Sequence, residues 1–108
     1  MKVVINTCHG GFGLSDAAVM RYANLAGIDL VGEDSSWGRQ YYHNGDYWNY
    51  CGIERNDPLL VQVVEELGAA ANDKYADLKV VEIPDGIAWY VDEYDGDEWV
   101  AEQHRTWR

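Results

Sequence analysis

The chain has 108 residues and a formal net charge of −11, with 19 acidic against 8 basic side chains. That length suits one domain, and a hydrophobic share of 47% excludes a disordered tail. Charge of this sign repels phosphate backbones at long range, so ordinary binding of long DNA or RNA is excluded while a small nucleotide in a local pocket is not.

Lys2 to Cys8 reads as a strand, because Val3, Val4 and Ile5 are β-branched and run together as in a strand buried on both faces. His9-Gly10-Gly11-Phe12-Gly13 then reads as a loop. A helix is expected over Asp16–Ala26, capped by Ser15, with Leu14 and Val19 placed as a hydrophobic staple and Gly27 at the left-handed C-terminal position. Its apolar face is Ala18, Val19, Tyr22, Leu25 and Ala26.

After a short strand at Ile28–Val31 comes an aromatic-rich insert at 33–52, which holds Trp37, Tyr41, Tyr42, Tyr47, Trp48 and Tyr50 among small polar residues. Asn44-Gly45 is a hairpin signal there. Such a stretch is either an aromatic hairpin packed on the core or a tyrosine-rich binding surface. Asp57-Pro58 opens a second helix with the stripe Leu60, Val63, Val64, Leu67 and a stop at Gly68, or a little further through Ala69–Ala71. Leu78–Ile83 reads as a strand ended by Pro84. Trp89–Tyr94 and Glu98–Gln103 form a hairpin about Asp95-Gly96, in which Val91 faces Val100 and Glu93 faces Glu98. Like charges opposed in this way predict a solvated hairpin end. The expected fold is α+β: a single compact domain, 1–108, with a mainly antiparallel sheet and two helices.

The catalytic and metal signals are weak. The glycine loop lacks the third glycine of a dinucleotide fingerprint and the lysine of a phosphate loop, and Asp16 in the first helical turn would repel a phosphate. Cys8 and His9 adjoin in sequence, where strand neighbours point to opposite faces. His9, His43 and His104 lack metal-ligand spacing, and the Asp92, Asp95, Asp97, Glu98 turn does not fit a calcium loop. No cofactor, metal or catalytic residue is therefore expected. With two cysteines and no CxxC, both thiols are expected to be reduced. No signal-peptide pattern and no membrane-length apolar run is visible, so the expected location is the cytoplasm.

Binding signals are better placed. His104-Arg105-Thr106-Trp107-Arg108 puts two scarce guanidiniums beside an indole, and Arg55 is a further donor. Phe12 and Trp89 are the other aromatic candidates for a ligand-binding set of Arg105, Arg108, Trp107, His104, Arg55, Phe12 and Trp89.

The strings HGGFGLS, Arg55-Asn56-Asp57-Pro58, Val80 to Asp85 (VVEIPD), Tyr94-Asp95-Gly96 and His104-Arg105-Thr106-Trp107 together resemble a group of short bacteriophage and prophage proteins. Within that group the chain is similar to the Thoeris anti-defence family, oligomeric sponges that trap cyclic ADP-ribose signals, some with a second site for cyclic oligonucleotides. The resemblance implies a non-enzymatic homo-oligomer in the host cell cytoplasm that sequesters a small nucleotide messenger. It also implies phosphate contacts at Arg105 and Arg108 and stacking at Trp107 or the insert. An acidic protein inhibitor or DNA mimic, and a small nucleotide-processing enzyme, are the competing expectations.

Overall fold

The computed structural model describes residues 1–36 and 38–103. It is an α+β domain with every named strand pair antiparallel. The strands β1 (Lys2–Asn6), β2 (Leu30–Ser35), β3 (Gly38–His43), β4 (Asp46–Trp48), β5 (Leu78–Glu82), β6 (Trp89–Tyr94) and β7 (Asp97–Glu102) join two helices, α1 (Asp16–Ala26) and α2 (Pro58–Leu67). Instead of one sheet, the described residues form three small ones: β1-β5, β2-β3-β4 and β6-β7.

Local chemistry sets the helices. The Ser15 hydroxyl accepts the Ala18 N–H at 3.1 Å and donates to the Ala70 carbonyl at 2.6 Å, so one side chain starts α1 and ties it to the turn after α2. Gly27 ends α1 at φ 71°. Asp57 caps α2 through Leu59 N–H at 2.8 Å, with Pro58 in the first turn. The Ala69–Ala71 continuation does form, as a 3-10 turn spanning Gly68–Ala71.

The core lies where the helices meet β1. Val3, Val4, Val19, Leu60 and Val63 are fully buried, and Leu14, the expected staple partner of Val19, is buried beside them. Val61 is buried as well, which widens the expected α2 stripe. β1 stops at Asn6, two residues short of the expected Cys8, because Asn6 turns its polar groups inward. Its side chain donates to the Cys8 and Gly96 carbonyls and accepts from Cys8 and Asp77 N–H. Every side-chain polar atom of this buried residue thus has a partner, as burial demands.

Most of the insert is a β-meander, β2-β3-β4. Asn44 (φ 50°) and Gly45 (φ 83°) make the two-residue turn between β3 and β4, and Tyr41 is buried against α1. At the β6-β7 hairpin, Val91 opposes Val100 and Glu93 opposes Glu98 as expected. The solvated end holds for Glu93, Tyr94 and Asp95 but not for Glu98, which is only 8% exposed because Arg55 neutralises it.

Candidate functional site

The insert packs over the start of α1 and leaves two adjoining clefts. One, of about 220 Å³, lies among Arg39, Tyr41, Tyr47, Trp48, Asn49 and Tyr50. The other, of about 410 Å³, runs past Leu14, Asp16, Gly38 and Asp73, and shares Arg39, Tyr41 and Tyr50 with the first. Three side chains therefore border both spaces.

Each is held by a traceable contact. Arg39 projects from β3 and pairs with Asp16 at 2.8 Å and Asp34 at 3.1 Å. Asp16, which sits in the first turn of α1, also accepts the Tyr41 hydroxyl at 2.9 Å. The carboxylate that would repel a phosphate from this helix end instead fixes a guanidinium there. Trp48 stands edge-on to Tyr41 at 6.5 Å between ring centroids, and its centroid is 6.3 Å from that of Tyr22. Asn49 caps the short turn at Tyr50–Gly52 by accepting the Cys51 N–H, which leaves the Cys51 thiol exposed at the cleft rim.

Carboxylates outnumber the one cation here: Asp16 and Asp73 line the larger cleft, and Asp16 and Asp34 both pair with Arg39. Burial pushes the Tyr41 phenol up from its usual range, with the Asp16 carboxylate adding to it. Burial and then the Asp73 carboxylate push Tyr50 up in the same way. Both hydroxyls stay protonated at neutral pH, and that of Tyr41 is spent on Asp16. Hydrogen bonds to Asp16 and Asp34 hold the Arg39 guanidinium still more firmly charged. The combination offers flat aromatic surface, neutral hydroxyls, an amide and one forked cation. That set suits a small, flat, polar ligand, with the Nη2 of Arg39 left to meet an acceptor because Asp16 takes Nε and Asp34 takes Nη1.

Comparison with protein-family models, with curated proteins and with solved structures returns no match.

The residues expected from sequence fall elsewhere. His104, Arg105, Trp107 and Arg108 lie outside the described residues. Arg55 and Phe12 do come together, with the guanidinium 3.7 Å from the ring centroid. Yet Arg55 is engaged inside the molecule, because Glu98 takes both arms of its fork at 2.6 and 2.9 Å. Phe12 in turn leans on Tyr50, with centroids 6.2 Å apart, and so supports the cleft from behind. Trp89 begins β6 on the separate hairpin, opposite Glu102. Among the described residues no group of three or more His, Cys, Asp or Glu side chains is arranged to hold a metal. No helix among them is long and apolar enough to cross a membrane.

Arg39 escaped sequence reasoning, though a signal was present. It is the one basic residue inside the insert other than histidine, flanked by Trp37 and Tyr41, and a guanidinium among aromatics is a binding signature in its own right.

Proposed function

We propose that this protein captures a small nucleotide messenger without turning it over, as a phage-encoded anti-defence sponge acting in the host cytoplasm. The observation that carries the reading is the Arg39 guanidinium at the junction of two clefts that Tyr41 and Tyr50 also line. Bases stack on aromatic faces in a sequence-tolerant way, and a forked guanidinium is the side chain best matched to phosphate oxygens. Asp16 and Asp34 hold Nε and Nη1 of the Arg39 guanidinium in place, which lowers the ordering cost of capture and leaves Nη2 for a phosphate oxygen.

The ligand class is a cyclic ADP-ribose isomer or a cyclic oligonucleotide. A single cation at the junction suits a ligand with few phosphates, and the net charge of −11 keeps long nucleic acid away. Capture requires no general base or nucleophile. A homo-oligomer would also hide exposed aromatic side chains such as Tyr75.

The test is calorimetric titration of the purified protein with cyclic ADP-ribose isomers and cyclic di- and trinucleotides, followed by chromatography of the ligand released on heating. Binding with unchanged ligand recovered supports capture. A new product means turnover, and no heat with any of these ligands rejects the reading.

A further inference from the structure

The β6-β7 hairpin carries a second surface, remote from the clefts in composition and independent of the capture reading. Residues opposed across an antiparallel pair share a face, and residues two apart along a strand do too. The pairs Tyr90 with Ala101, Asp92 with Trp99, and Tyr94 with Asp97 therefore make one continuous face. Glu98 lies on the other face, locked to Arg55, so the first face is turned away from the body of the protein. Its aromatics are left open: Tyr90 is 46% exposed, Tyr94 75% and Trp99 44%.

Charge decides what fits there. The segment from Trp89 to Glu102 contains Asp92, Glu93, Asp95, Asp97, Glu98 and Glu102 and no Lys, Arg or His. Among the described residues only Glu98 of these has an ion pair. Aromatic faces bordered by unpaired carboxylates attract guanidinium and ammonium groups by cation–π contact and by charge together. The hairpin has only two strands, so β6 keeps an outer edge without a strand partner among the described residues. A strand added there would lay every second side chain beside Tyr90, Asp92 and Tyr94.

We propose that this face docks an extended, arginine- or lysine-bearing segment of a partner protein, with basic residues at alternate positions. Acidic steering would bring such a segment in quickly at low salt and fade as salt rises.

The probe is a ten-residue peptide alternating arginine and threonine, titrated into the ¹⁵N-labelled full chain and followed by amide shifts and fluorescence anisotropy. Shifts confined to 89–102 are expected. Asp92→Asn with Asp97→Asn, and separately Trp99→Thr, should each weaken binding about tenfold. Asp29→Asn with Glu33→Gln, which removes the same charge from β2 and the residue before it, should change it less than about twofold. Equal losses from the two charge-matched pairs overturn the proposal, because they reduce it to net charge. Shifts centred on another sheet overturn it as well. So does self-association of the wild-type chain, seen by sedimentation and abolished by Trp99→Thr, which would make a second copy the occupant.

Discussion

Arg55 and Glu98, 43 residues apart in the chain, meet as a two-bond fork at 2.6 and 2.9 Å, with the Phe12 ring 3.7 Å from the guanidinium carbon. Glu98 also accepts the Asn6 N–H at 2.8 Å. One carboxylate thus fastens the last hairpin both to the loop before α2 and to the end of β1.

Removing one partner of such a pair costs more than the pair itself contributes, because the other charge is left desolvated. Glu98→Ala strands Arg55 and the Asn6 N–H at once and is expected to destabilise the fold by about 3 kcal/mol. The double change Arg55→Met with Glu98→Leu should cost clearly less than the two single changes summed. Urea unfolding of the two single variants and the double closes the cycle. A loss below about 1 kcal/mol for Glu98→Ala would place the pair with ordinary surface bridges.

Arg39 should behave in the opposite way. Its pairs with Asp16 and Asp34 are solvent-exposed, so Arg39→Ala is expected to lower stability by less than about 1 kcal/mol. If the clefts hold a phosphate-bearing ligand, the same change weakens binding by about 10- to 100-fold, as expected for a charge-assisted contact. Calorimetry on Arg39→Ala and Arg39→Lys reads this directly. The lysine variant keeps the charge but loses the fork, and should recover only part of the affinity.

The two hairpin turns share their chemistry but differ in surroundings. Gly45 and Gly96 both have positive φ, at 83° and 89°. A Cβ on Gly45 would meet open space, whereas one on Gly96 would lie 2.6 Å from the His9 carbonyl oxygen and 2.7 Å from the Gly11 nitrogen. Gly45→Ala should therefore cost about 1 kcal/mol from backbone conformation alone. Gly96→Ala should cost about 3 kcal/mol, because the hairpin must also withdraw from a backbone that cannot yield. Thermal unfolding of the two variants side by side makes the comparison.

Alkaline pH should weaken the phenol contacts made across α1, Tyr22 to Asp57 and Tyr41 to Asp16. Burial, with the Asp57 carboxylate next to it, pushes the Tyr22 phenol from its ordinary 10.0 up to about 12. Tyr41 is raised as well, by burial and by Asp16. A group whose pKa is higher folded than unfolded binds its proton more tightly when folded. Its stabilising contribution is complete below pH 10 and is lost as pH climbs through 12. The melting midpoint should hold to about pH 9.5 and then fall, and Tyr22→Phe should make that fall shallower. An unchanged slope in Tyr22→Phe would show that this phenol is not linked to folding.

The boundaries of α1 and α2 were legible in the sequence because caps and stops act within a few residues. Ser15, Gly27 and Asp57-Pro58 each satisfy or end a helix through bonds to their immediate neighbours. The hairpin register about Asp95-Gly96 was legible for the same reason, since a two-residue turn fixes which residues oppose one another. The burial of Glu98 was not. Opposition to Glu93 argued for water, and only a guanidinium arriving from 43 residues away reversed it.

The sequence by itself determined a small acidic α+β chain, its two helices, its turn-coded hairpins and the aromatic character of the insert. Those properties follow from composition and from forces that act along a few bonds. Tertiary structure alone decided that the strands divide into three sheets, that Asp16 fastens Arg39 and Tyr41 at the junction of two clefts, and that Arg55 turns inward to Glu98. A charged side chain takes whichever partner the folded backbone brings within about 3 Å, and no local pattern records which of 19 acidic residues that will be.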